Sequence, residues 1–212
     1  MQVIPAINAA TFEGVQEQLA FVKQNIPEHK GFVHLDVTDG FYSTYPLWNN
    51  PYDLSRVSDR SIFEVHLMIR NPEKTIDSWL QPCVGRIIVQ SDAVSDPNEL
   101  LNKCTAKHIQ FGISFAPHAS IENFIFPRTP MDLVQVLAVH PGAAGQKFGE
   151  EALQKIHALR KMFPSGILEV DGGMTPETAK RIQEAGADTI VSASYIMKSS
   201  NPREAYQELL HS

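Results

Sequence analysis

The sequence predicts an α/β fold, a (β/α)8 barrel that takes up all 212 residues as one domain. Three observations predict it. Short apolar β-like runs alternate with helix-like segments, which implies a mainly parallel sheet covered by crossover helices. The alternation repeats eight times, the number that closes a barrel. No linker-like or low-complexity segment splits the chain, and 43% hydrophobic composition suffices for one sizeable core. A doubly wound open sheet is the structural competitor.

The units follow in order. "VIPAI" (3–7) leads into a helix through "EGVQEQLAFVKQN". "GFVHLDV" (31–37) is followed by an aromatic loop and a short helix near 51–58. "SIFEVHLMI" (61–69) precedes "NPEKTIDSWLQP", where Asn71 suits an N-cap and Pro72 the first helical position. "GRIIVQS" precedes "DPNELLNKCTA", and "HIQFGISFA" precedes a short helix expected around 119–125. "MDLVQVLAV" precedes "GEEALQKIHALRKMF", with Ala152, Ile156, Leu159 and Met162 on one helical face. "GILEVDG" precedes "TPETAKRIQEAG", opened by Thr175, and "ADTIVSAS" precedes a last helix near 201–211.

Composition excludes several roles. A net charge of −6 without Lys/Arg blocks argues against nucleic acid as a partner. No apolar run approaches 18 residues, so no membrane span is expected, and the N-terminus does not read as a signal peptide. Cys83 and Cys104 lack metal-type spacing and suit a cytoplasmic location with free thiols.

A barrel of this kind places its site at the C-terminal strand ends. Strand 2 brings His34 and Asp36, strand 3 brings His66, and strand 7 brings Asp171. Period-2 alternation puts His34 and Asp36 on one face and Val33, Leu35 and Val37 on the other. Two His and two Asp in one cavity suit a divalent metal, Zn²⁺, Fe²⁺, Mn²⁺ or Co²⁺, and a metal would offset the burial of ionisable groups. The last three loops, "HPGAAGQKF", "DGG" and "SAS", are small and Gly-rich. In such barrels these loops supply backbone N–H groups to a phosphate. Together the two themes indicate a small phosphorylated substrate lying across the mouth.

Five segments, "HLDVTDG", "VHLMIRNPE", "VHPGAAGQKF", "LEVDGGMTPETA" and "AGADTIVSASYIM", resemble the ribulose-phosphate 3-epimerase family over nearly the whole chain. The resemblance implies a ribulose-phosphate-binding type of TIM barrel and a metal-dependent 3-epimerase, interconverting D-ribulose 5-phosphate and D-xylulose 5-phosphate. It implies one divalent ion, Zn²⁺ first, held by His34, Asp36, His66 and Asp171, with Asp36 and Asp171 also the acid/base pair. It further implies substrate or phosphate contacts at His66, Met68, Ala144, Gly145, Gln146, Gly172, Gly173, Ala193 and Ser194, and a homo-oligomer, with segment 41–52 a candidate contact.

Departures from the family pattern gather on the substrate side. Ala6 stands where the family has a serine, for which Asn8 could substitute. Thr38 and Leu137 replace methionines, Phe41 replaces a histidine, and His140 replaces an acidic residue. Ala144 and Ala193 replace glycines, and "STYPLWNNPY" replaces a short loop. These keep two other readings open: a 3-epimerase of a related ketose phosphate, such as a ketohexose 6-phosphate, and a catalytically silent sugar-phosphate-binding protein.

Overall fold

The computed structural model describes residues 1–58, 60 and 62–212. Ser61, expected to open the third strand, lies outside the described residues. The strands are β1 (Gln2–Ile7), β2 (Val33–Thr38), β3 (Phe63–Met68), β4 (Val84–Gln90), β5 (Gln110–Phe115), β6 (Leu133–Leu137), β7 (Ile167–Asp171) and β8 (Thr189–Ser192). They run parallel in sequence order, and β8 pairs back onto β1, closing the barrel. The helices are α1 (Phe12–Asn25), α2 (Ile76–Trp79), α3 (Pro97–Thr105), α4 (Glu151–Met162), α5 (Pro176–Glu184), α6 (Ser194–Met197) and α7 (Pro202–Leu210). Among the described residues no helix is long and apolar enough to cross a membrane.

Alternation along each strand sorts the side chains into two environments. Outward residues such as Val33, Leu35, Val37, Val65, Leu67, Ile113 and Val136 join one continuous apolar layer with the helices. Each fully buried side chain in that layer stabilises by about 1.5–3 kcal/mol relative to exposure. The lumen is different. Ile4, Ala6 and Val191 form a small apolar cluster there, but His34, Asp36, Glu64, His66, Arg86, Gln90, Gln135, Glu169 and Asp171 are all buried too. Register stacks them: His34 lies beside Glu64, and Asp36 beside His66.

Side-chain caps fix several helix starts. Thr11 caps α1 and Asp96 caps α3. Thr175 forms a capping box with Thr178 at α5, and Asn201 caps α7. Such a cap is worth about 1 kcal/mol.

Three local expectations change. Residues 119–125 form turns rather than a helix. Phe124 and Phe126 pack edge-to-face at 4.9 Å, and Phe126 reaches Phe163 at 5.0 Å, so the segment serves an aromatic cluster. Asn71 stands at a helix start but in the left-handed region (φ 53°), and its side chain makes no cap bond. A short 3-10 turn, Pro72–Lys74, then precedes α2. Met162 is 51% exposed, because the buried stripe of Ala152, Ile156 and Leu159 continues through Phe163 instead. At 100° per residue Met162 falls at the edge of that stripe.

The aromatic loop after β2 crosses the barrel mouth. Asp39 turns it by accepting from the N–H groups of Phe41 and Tyr42. Thr38 then anchors it: its hydroxyl donates to the Tyr45 carbonyl at 2.7 Å and accepts from the Leu47 N–H at 3.0 Å. On the far side Ser43 Oγ donates to the Pro141 carbonyl at 2.9 Å. Gly142 (φ +118°) packs so closely that a Cβ there would lie 2.5 Å from Ser43 Oγ. Pro141 follows β6, which stands opposite β2 in an eight-strand ring, so the two loops form a strap across the opening. Trp48 then returns the chain to the core between Phe12 and Trp79.

Candidate active site

Under the strap, four ionisable groups meet at the top of the lumen. Single ligand atoms of His34, Asp36, His66 and Asp171 all lie within 4.8 Å of one another, and all four residues are buried. His34 Nε2 is 3.3 Å from Asp36 Oδ1 and 3.8 Å from Asp171 Oδ2. His66 Nδ1 is 3.1 Å and 3.7 Å from the same two atoms. His34 Nε2 is buried with no hydrogen-bond partner among the described residues.

These observations fit a metal. Zinc-type bonds of about 2.0–2.2 Å place tetrahedral neighbours about 3.3–3.6 Å apart, inside the observed 3.1–3.8 Å spread. An inward-facing orphan nitrogen is the donor such a site needs, and a His₂Asp₂ set suits several divalent ions.

Electrostatics point the same way. Burial alone would raise the pKa of Asp36, but the imidazoles of His34 and His66 beside it hold it far below the usual carboxylate range. Burial would lower His34, yet the Asp36 and Glu64 carboxylates beside it raise it well above the ordinary value. His66 is likewise depressed by burial and raised on balance by Asp171 and Asp36. The anionic cluster therefore attracts positive charge, whether protons on the rings or a cation between them.

Asn8 holds Asp36 from the other side, its Nδ2 donating to Oδ2 at 2.5 Å. Its Nδ2 is thus committed to a carboxylate, while its Oδ1, on the cavity wall, is buried without a partner among the described residues. Thr38 is equally committed to the strap.

Asp36 and Asp171 line a narrow cavity of about 40 Å³, together with Met68, Leu137, Ala144, Gly145, Gln146, Gly172, Gly173, Ala193 and Ser194. Every residue expected to contact substrate therefore borders one cavity, except His66, which is fully buried behind Asp36. Gln146 borders it but turns its amide onto the carbonyls of His140 and Ala143, pinning its own loop. Gly145, Gly172 and Gly173 all have positive φ, at +86°, +105° and +74°. A Cβ on Gly172 would strike Val139, and one on Gly173 would strike the Phe148 backbone. At Gly145 the space is open, with Ser194 Oγ and Lys198 Nζ each 3.8 Å from the Cβ position.

Beyond the strap lies an open cavity of about 610 Å³, bordered by Phe41, Tyr42, Arg70, Asp92 and His118. His140 borders both cavities.

Sequence reasoning missed several members of the site. Glu64 Oε1 lies 2.6 Å from His34 Nδ1, and the Gln90 carboxamide lies 2.6 Å from His66 Nε2. Ser192 Oγ is buried on the cavity wall without a partner among the described residues. Glu64 shares a strand face with His66, so the parity that found His34 and Asp36 could have found it.

Residues 2–197 match the model of the Ribulose-phosphate 3 epimerase family. The chain is 34% identical over 184 residues to a ribulose-phosphate 3-epimerase of Chlamydia muridarum, covering 82% of this chain and 80% of that protein. It is 30% identical to the Helicobacter pylori ribulose-phosphate 3-epimerase, covering 99% and 96% of the two chains. In fold it resembles a crystal structure of 3-hexulose-6-phosphate synthase, with TM-score 0.60, 14% identity and coverage of 99% and 98%. The chain belongs to the ribulose-phosphate 3-epimerase family of isomerases.

Proposed function

We propose that this protein is a metal-dependent ribulose-phosphate 3-epimerase that interconverts D-ribulose 5-phosphate and D-xylulose 5-phosphate. The observation that carries the reading is the placement of two carboxylates, Asp36 and Asp171, from different strands on one small cavity beside two histidines. His34, Asp36, His66 and Asp171 would hold one divalent ion, Zn²⁺ first. When bound, the ion supplies Lewis-acid stabilisation to charge that develops on the substrate oxygens at C2 and C3.

The side chains supply the rest. The C3 proton is acidified by the C2 ketone, so its removal gives an enediolate. Asp36 is kept ionised by its neighbours, as a base must be, and Asn8 fixes its orientation. One carboxylate takes the proton from one face of C3 and the other returns a proton to the opposite face; the roles exchange with direction. Gly145, Gly172, Gly173, Ala193 and Ser194 offer backbone N–H groups to the phosphate, with Ala144 and Gln146 shaping that loop and Met68 lining the cavity. Ala144 and Ala193 keep their N–H, so the departures from glycine leave that chemistry available.

The pentose is favoured over a larger ketose phosphate by where the departures point. Thr38 spends its hydroxyl on the strap, donating to Tyr45 and accepting from Leu47. It is not left to recognise an additional sugar hydroxyl. The test is direct. Protein loaded in turn with Zn²⁺, Fe²⁺, Mn²⁺ or Co²⁺ should form xylulose 5-phosphate from ribulose 5-phosphate, with the pentose preferred in kcat/KM over a ketohexose 6-phosphate. Absence of turnover with every metal overturns the reading. Association of copies is tested separately by light scattering: a homo-oligomer is expected.

A further inference from the structure

The two histidines turn different nitrogens toward the cluster. His34 presents Nε2 to Asp36 and Asp171, whereas His66 presents Nδ1. Their remaining nitrogens meet different chemistry: a carboxylate, Glu64, behind His34 and a carboxamide, Gln90, behind His66. A neutral imidazole carries one proton, and the nitrogen that gives its lone pair to a metal cannot hold it.

We propose that Glu64 and Gln90 are positioning residues that hold His34 and His66 in opposite tautomers, protonated at Nδ1 and at Nε2 respectively, and that the anionic partner makes His34 the stronger donor. The inference rests on the reading of the cluster as a metal centre.

Glu64 is fully buried, and an ionised carboxylate only accepts. It therefore selects the proton on His34 Nδ1 and leaves Nε2 bare, as the orphan atom requires. Its other oxygen pairs with Arg86 Nη1. Arg86 is in turn fixed by Gln110, which accepts from its Nε at 2.9 Å, and by the Phe32 ring under its guanidinium. The second lumen carboxylate, Glu169, accepts from Gln135 at 2.9 Å and its pKa is raised by burial and by the charge of Glu64. The Glu64 carboxylate, ion-paired with Arg86, thus stands behind His34, where its charge raises the basicity of the ring.

Behind His66 the order is set from the strap. The Tyr42 hydroxyl lies 2.8 Å from Asp92 Oδ1 and 3.2 Å from Gln90 Oε1, with Gln90 Nε2 turned to His66 Nε2. One hydroxyl has one proton, and the nearer, charged Asp92 claims it. With that proton given to Asp92, Gln90 Oε1 has no donor at Tyr42, so we assign the carboxamide with its two ends exchanged, the NH₂ donating to Tyr42 and the carbonyl oxygen facing His66. That oxygen accepts from Nε2–H and leaves Nδ1 for the cluster. Asp92, Tyr42, Gln90 and His66 form a chain in which every proton has one direction.

The test reads tautomers directly. Long-range ¹H–¹⁵N correlation on ¹⁵N-histidine-labelled, zinc-loaded protein should show His34 protonated at Nδ1 and His66 at Nε2, each with a zinc-shifted second nitrogen. Rings that shift with zinc but carry the proton on the same nitrogen overturn this inference alone. Rings that do not shift remove the metal reading, and this inference with it. In parallel, Glu64→Gln should weaken zinc binding about 10–100-fold in competition with a chromophoric chelator. Glu64→Asp should recover part of the loss, and Gln90→Met should lose less than Glu64→Gln. Wild-type affinity in both Glu64→Gln and Gln90→Met overturns the proposal. Should these variants fail to fold, the wild-type spectrum decides.

Discussion

The two halves of the barrel mouth use opposite kinds of chemistry. The half formed by β2, β3 and β7 works through side chains: His34, Asp36, His66 and Asp171 project from rigid strands and are backed by further buried partners. The half formed by the loops after β6, β7 and β8 presents mainly backbone, through Gly145, Gly172, Gly173 and Ser194. The difference teaches where change is tolerated. A side chain that reacts has no substitute, whereas a backbone N–H survives any substitution that leaves the local φ and ψ accessible. Alanine at 144 and 193 is compatible with the second kind of site; no comparable exchange is available to the first.

The largest expected effect lies in the side-chain half. Asp36→Asn or Asp171→Asn should lower kcat by about 10²–10⁴-fold, the usual share of a general acid or base. Stopped kinetics with metal content measured on the same sample will separate lost proton transfer from lost metal. Wild-type kcat in either variant would break the comparison at its root.

Next comes a pH effect on stability from the lumen. Burial and the charge of Glu64 push Glu169 from an ordinary 4.5 up to about 8. A raised folded-state pKa contributes stability that is complete below the unfolded value and is lost as pH rises through the folded one. Stability should therefore fall between about pH 4.5 and pH 8. Glu169→Gln, neutral throughout, should flatten that decline. Urea midpoints at three pH values across the window read the slope, and an unchanged slope would dismiss Glu169 as its source.

The backbone half should respond more mildly and less uniformly. Gly173→Ala forces a Cβ against the Phe148 backbone at φ +74°, a strain of about 1–3 kcal/mol, read as a lower melting temperature and a raised KM. Gly145→Ala meets open space at φ +86° and should cost only about 1 kcal/mol, with kcat nearly unchanged. Equal losses at the two positions would mean that packing does not distinguish them.

The smallest effect is expected at Lys198. Its Nζ lies near the Gly145 turn and Ser194, so Lys198→Ala should raise KM a few-fold without altering kcat. A fall in kcat instead would move Lys198 out of the phosphate half.

The same contrast explains what could be read from sequence. Alternation made His34 and Asp36 visible as a pair, and eight repeats made the barrel visible, because both signals are local and periodic. Glu64 and Gln90 have the same parity, but their meaning needs the register that sets Glu64 beside His34, and parity carries no register. The strap was harder still. Ser43 and Pro141 are 98 positions apart, and nothing in "STYPLWNN" announces a partner so distant. The short helix expected at 119–125 failed for a related reason: Phe124 and Phe126 answer to Phe115 and Phe163, not to their own helical neighbours.

The strap also bears on the fate of an isotope. Ser43 and Tyr45 pack on Pro141 and Gly142 beside a narrow cavity of about 40 Å³, so entry of the proposed sugar phosphate is expected to require the clasp to loosen. In the proposed epimerase, a clasp shut around the intermediate would leave a proton lifted from C3 two carboxylates to visit and little bulk water to mix with. Label washed into the sugar then counts openings rather than chemical steps. In heavy water, substrate recovered unconverted should gain deuterium more slowly than product forms, and loosening the clasp with Thr38→Val should bring the two rates together.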